Sequence, residues 1–85
     1  MTECENFGRN LRCARRRRGF SQRHCCEEFE RQTGLCHIDV SLIERGLVDV
    51  TLYEMVVLAE LVGQPVTALL KWPTRAQPSE VLEMR

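Results

Sequence analysis

Val40-Ser41-Leu42-Ile43-Glu44-Arg45-Gly46 sets two apolar residues three apart, follows them with a charged pair and stops on a glycine. This is the pattern of a short amphipathic helix, with Val40 and Ile43 turned inward and Gly46 free to take the positive φ that ends a helix. The pattern predicts a helix over about residues 37–45. Upstream, Thr33-Gly34 interrupts a second helical pattern over 22–32, where Cys25, Cys26 and Phe29 share a face and Ser21 offers an N-cap hydroxyl. Further back, Phe7, Leu11 and Ala14 recur at i, i+4 and i+7 among arginines, which predicts a helix over 5–18 that Gly19 ends.

Downstream, Thr51 is suited to cap a helix over 52–62, with Leu52, Met55, Leu58, Ala59 and Val62 as its core stripe and Gly63 as its stop. Pro65 suits the first turn of a short fifth helix, in which Val66, Leu69 and Leu70 close the core. Tyr53, Val57 and Leu61 lie beside the core stripe at i, i+4 and i+8. They form either a second apolar surface suited to dimerisation or a seat for the tail beneath Trp72, Val81 and Leu82. The expected fold class is therefore all-α: a compact five-helix domain over 1–72 and a short C-terminal tail over 73–85. Pro73 and Pro78 interrupt that tail, where Ser79, Val81 and Leu82 suit one short helical turn.

With 85 residues, 44% hydrophobic and 28% charged, the chain has room for one core and the balance of a globular protein. No apolar run is long enough to cross a bilayer, and the polar, acidic start Met1–Glu5 is unlike a signal peptide, so a cytoplasmic location is expected. Five cysteines, an odd number, fit reduced thiols better than a disulfide framework. His24, Cys25, Cys26, Cys36 and His37 are ligand types, but neighbours such as Cys25 and Cys26 point about 100° apart on a helix and no C-x-x-C pair is present. No metal and no cofactor are expected. Catalysis is not expected either, because no nucleophile sits in a recognisable motif with a base and no glycine loop cradles phosphate.

The net charge is zero, yet it is unevenly spread. Residues 1–26 hold seven arginines against Glu3 and Glu5, whereas residues 27–60 hold eight acids against Arg31 and Arg45. Arg15 to Arg18 fall at the end of the first helix, where they complement its dipole as a solvated helix end.

Three blocks in order resemble the XRE family, the Cro and C1 type of helix-turn-helix repressor. They are Gly8-Arg9-Asn10-Leu11-Arg12-Cys13-Ala14-Arg15 with Gly19-Phe20-Ser21-Gln22, then Gly34-Leu35 with Val40 to Gly46, then Leu58-Ala59-Glu60-Leu61-Val62-Gly63 through Leu69-Leu70. The resemblance spans about residues 7–70 and implies a repressor-like helix-turn-helix domain. It implies DNA contacts by Gln22 and Arg23 at the start of helix 2, by Cys36, His37, Ile38 and Asp39 at the start of the recognition helix, and by Arg45. The loop 47–49 would face the DNA backbone.

The sequence departs from that pattern in ways that bear on function. Between Ser21 and Gly34 it carries about four residues more than the family's usual spacing. The base-reading positions lack the Arg, Lys, Asn or Gln that pair with base edges, leaving His37 as a donor and Asp39 as an acceptor only. After Gly46, where the family usually places a cation, then Asn and Pro, stand Leu47, Val48, Asp49 and Val50. Cations against phosphates supply most of the affinity for duplex DNA. A face of this composition instead suits a protein partner: Ile38, Leu47 and Val48 rimmed by His37, Asp39 and Asp49 would complement the basic surface of a transcription factor. The expectation is a small negative regulator, an antiactivator, similar in size, fold and altered DNA face to the QseM-type antiactivators of integrative and conjugative elements. The alternative is the family default, a dimeric DNA-binding repressor, or an antitoxin-type autorepressor. Monomer and homodimer both remain open.

Overall fold

The protein's structure, a computed structural model, describes residues 3–35 and 38–71. It is all-helical among those residues: α1 Glu3–Arg18, α2 Gln22–Thr33, α3 Val40–Glu44, α4 Leu52–Leu61 and α5 Val66–Leu69. The proposed turn around Ser79 and the packing of Trp72, Val81 and Leu82 fall outside the described residues.

Local chemistry sets the ends of these helices. Glu3 and Glu5 lie in the first turn of α1 and Arg15 to Arg18 in its last, each opposite in sign to the nearby end of the dipole. The Ser21 hydroxyl accepts from the His24 N–H at 2.9 Å to start α2, and Gly34, at φ 76°, donates its N–H to the Glu30 carbonyl to close it. In α4 the Glu54 N–H donates to Thr51 Oγ1 at 3.1 Å while the Thr51 N–H donates to Glu54 Oε1 at 2.9 Å, a reciprocal capping box.

Most ends fall within one residue of expectation, and α1 starts two residues earlier, at Glu3; two other boundaries differ for reasons the local geometry shows. The third helix begins at Val40 rather than 37, because Asp39 takes extended backbone angles and its carboxylate accepts from the Leu42 N–H at 3.1 Å. A short acceptor beside unsatisfied N–H groups stops the helix from extending backward. Pro65 stands just outside α5, at φ −68° and ψ 149°, instead of in its first turn.

The core gathers Phe7 and Leu11 from α1, Phe29 from α2, Val40 and Ile43 from α3, and Leu58 and Val62 from α4. Met55, Leu58, Ala59 and Val62 are buried as expected, but the buried face of α4 is broader than the predicted one and does not include its first residue. Leu52, expected in the core stripe, is 68% exposed, whereas Val57, expected on a separate surface, is buried. Leu61 packs partly against the core, so Tyr53 alone of the proposed second stripe stays largely exposed. The physical reason is that α4 contacts α1, α2 and α5, and a helix enclosed on several sides buries more than one stripe.

α1 packs most extensively on α3. Gly8 makes the approach close: a Cβ there would lie 2.0 Å from the Ile43 carbonyl oxygen. At the other end of the chain's path, Asn6 Nδ2 donates to the Leu70 and Lys71 carbonyls at 2.6 and 2.7 Å, and Asn10 Nδ2 donates to those of Leu69 and Lys71 at 2.8 and 2.5 Å. Two amides of α1 thus satisfy the carbonyls left open at the end of α5. No helix among the described residues is long and apolar enough to cross a membrane.

Candidate functional site

The seam between α1 and α3 is organised by a buried ion pair. Arg15 Nε donates to Glu44 Oε2 at 2.6 Å and Nη2 to Glu44 Oε1 at 3.0 Å, with the two side chains only 9% and 2% exposed. Arg15 Nη1 also donates to the Phe20 carbonyl at 2.8 Å, and Gln22 Nε2 donates to Glu44 Oε1 at 3.0 Å. The hydrogen bonds that Arg15 donates to Glu44 hold its guanidinium charged against the penalty of burial. The pair therefore fixes the end of α1, the turn into α2 and the end of α3 to one another.

One expectation changes here. Arg15 is not part of a solvated helix end; Gln22, half-buried, donates its amide to Glu44. The sequence held the signal. Phe7, Leu11 and Arg15 stand at i, i+4 and i+8, and Val40, Ile43 and Glu44 at i, i+3 and i+4, so one cation and one anion each occupy an otherwise apolar stripe. Opposite charges on two buried faces call for each other.

The residues expected to meet a partner fall into three groups. Cys36 and His37 lie outside the described residues. Asp39 is exposed but its carboxylate caps α3, and Ile38 is half-buried against the core, its carbonyl accepting a weak bond from Cys26 Sγ at 3.8 Å, so Ile38 contributes little to an open apolar surface. Leu47, Val48 and Asp49 are exposed as expected, Leu47 by 63% and Val48 by 37%. To these the structure adds Leu52, expected in the core, Tyr53, expected either on a second apolar surface or beneath the tail, and Leu35 after α2. Four large apolar side chains are thus exposed within the span 47–53.

The expected loss of cations around α3 holds for the loop 47–49 and fails on the side facing α1. There Arg12, Arg16 and Arg45 line a hollow of about 450 Å³ with Ser21, Gln22 and Ser41, floored by Arg15 and Glu44. A second hollow of about 400 Å³ shares Arg12, Arg16 and Glu44 and adds Arg9 and Cys13. Arg23 is committed elsewhere, to Glu27 at 3.3 Å on the exposed side of α2, and Arg31 pairs with Glu28, holding that carboxyl below its ordinary range. At the turn before α2, the Arg18 guanidinium lies 5.0 Å above the Phe20 ring, which also packs on His24 at 4.5 Å between centroids.

Among the described residues no three His, Cys, Asp or Glu side chains converge where they could hold a metal ion. Cys25 is buried in the core, and the loss of solvation there pushes its thiol up to about 11. Cys13 is exposed, while Cys4 and Cys26 are intermediate. Set against family models, curated proteins and solved structures, the chain matches none of them.

Proposed function

We propose that this chain is a small cytoplasmic negative regulator of transcription, a non-enzymatic antiactivator of helix-turn-helix type that binds an activator protein through the loop after α3 and the first turn of α4. The observation that carries the proposal is the exposure of Leu47, Val48, Leu52 and Tyr53 within seven residues, with the exposed Asp49 among them in sequence and the exposed Asp39 at the start of α3. An apolar centre with an acidic rim fits a basic, partly apolar surface such as the one a transcription factor turns toward DNA. Resemblance to the XRE repressors supports the reading through the order of Gly19, Ser21-Gln22 and Ile43-Glu44-Arg45-Gly46.

The test is an affinity capture of the full chain from its native host under nuclease treatment, paired with Leu47→Arg and Leu52→Arg. Both side chains are exposed, so the variants should keep the wild-type unfolding midpoint and lose the captured transcription factor. Retention of the partner by both variants refutes this surface.

A second reading, a DNA-binding repressor, draws on a different observation: Arg45 on α3 and Arg12 and Arg16 on α1 stand together beside the Ser21-Gln22 turn. It predicts association with the chain's own promoter that weakens steeply as salt rises. Absence of a shifted species at low salt removes it.

A further inference from the structure

The geometry points to a binding site for a compact oligophosphate anion in the arginine-lined cleft between α1 and α3. The site uses none of the side chains assigned above to protein capture, so it stands or falls independently of that reading. Arg9, Arg12 and Arg16 follow one another at i, i+3 and i+7 along α1; Arg45, just after α3, lines one hollow with Arg12 and Arg16, and Arg9 lines the adjoining hollow that shares those two residues. All four are exposed, and none makes an ion pair among the described residues. The carboxylate on the floor does not offset them, because Glu44 is already held by two hydrogen bonds from Arg15 and is almost fully covered. Like charges at these helical spacings repel one another, so the four guanidinium groups concentrate positive charge along the cleft.

Guanidinium groups bind phosphate oxygens through paired N–H donors, and the hydroxyls of Ser21 and Ser41 at the cleft add donors that suit the same oxygens. The arginine track on α1 is about 10 Å long, seven residues at the helical rise. That length matches two or three linked phosphates. A duplex needs a longer cationic track, and one laid across α3 meets the exposed carboxylates of Asp39 before the helix and Asp49 after it. The hollow's volume, about 450 Å³, lies in the range of small-ligand sites. The shared chemistry is a chain of phosphates, supplied by a nucleoside triphosphate or by inorganic polyphosphate.

Inorganic tripolyphosphate, titrated into the full chain at low ionic strength, should release heat on binding and raise the thermal unfolding midpoint. Arg12→Glu with Arg16→Glu should weaken binding by about tenfold or more. Arg17→Glu with Arg23→Glu changes net charge equally away from the cleft and should leave affinity within about threefold. Arg12→Gln with Arg16→Gln gives the same reading should the glutamate pair fail to fold. ATP binding as tightly as tripolyphosphate assigns the site to the phosphate chain alone, and clearly tighter ATP assigns it to a nucleotide. No heat and no midpoint shift with tripolyphosphate, equal losses in the cleft and control pairs, or saturable binding of a short duplex without any of tripolyphosphate would each overturn the proposal.

Discussion

Replacing Glu44 by alanine tests the organisation of the α1–α3 seam most directly. The wild-type carboxylate, 2% exposed, accepts two bonds from Arg15 and one from Gln22. Its removal leaves a guanidinium, itself 9% exposed, with the Phe20 carbonyl as its remaining partner. Breaking a buried pair on one side costs about 3–5 kcal/mol, because the surviving charge stays desolvated. A fold of about 70 ordered residues has about 4–10 kcal/mol in total, so Glu44→Ala should be near or past the unfolding threshold in water. In urea, where a domain this small loses about 1 kcal/mol per molar denaturant, the midpoint should fall by about 3–5 M. The companion variant Arg15→Met with Glu44→Leu removes both charges and keeps the volume. It should recover most of the loss and can equal or exceed wild type, since buried pairs are often replaceable by apolar residues at no net cost. Circular dichroism melts in urea for the wild type, Arg15→Met, Glu44→Leu and the double variant give the coupling directly. A Glu44→Ala loss within about 1 kcal/mol, the scale of a solvent-screened surface pair, would refute the burial argument.

Other outcomes follow from the packing. Gly8→Ala drives a methyl into the Ile43 carbonyl, so it should destabilise by about 1–3 kcal/mol or more, and a neutral effect in the same urea assay would mean that α1 and α3 sit farther apart. Leu58→Ala empties a fully buried position on α4 and should cost about 2–5 kcal/mol; an effect under about 0.5 kcal/mol would displace the register of that helix. Burial pushes the Cys25 thiol from its ordinary value of 9.0 up to about 11. The folded state keeps the proton that the unfolded state gives up, so this group's contribution is intact below the lower value and fades as pH rises toward the higher. Cys25→Ala should flatten the alkaline slope of stability between those limits, and an unchanged slope would contradict the burial. In native thiol labelling Cys13 should react well before Cys25, and simultaneous labelling would place both in solvent.

Most helix ends were readable because single residues set them. Ser21 and Thr51 bring oxygens to open N–H groups, and Gly19, Gly34, Gly46 and Gly63 all adopt the positive φ that ends a helix. The start of α3 was misplaced because Asp39 reads equally as a helical residue and as a cap, and only the hydrogen bond to Leu42 decides. On α4 nearly every position is apolar, so periodicity could not separate Leu52 from Val57. Exposure of Leu47 and Val48 was legible from a loop with no helical spacing to bury them. The arginine cleft was not, because Arg12 and Arg45 are distant in sequence and meet only through the packing that Gly8 and the Arg15–Glu44 pair allow. Arg15 was hidden in a run of four arginines that looks uniform until one of them is buried.

The amides of Asn6 and Asn10 fasten the carbonyls of residues 69–71 to the opening turns of the first helix. Polypeptide leaving residue 71 therefore departs from the same corner as polypeptide entering at residue 3. In a version cut back to residues 3–71, a short linker between the two cut ends could close the backbone into a ring without disturbing the opposite pole.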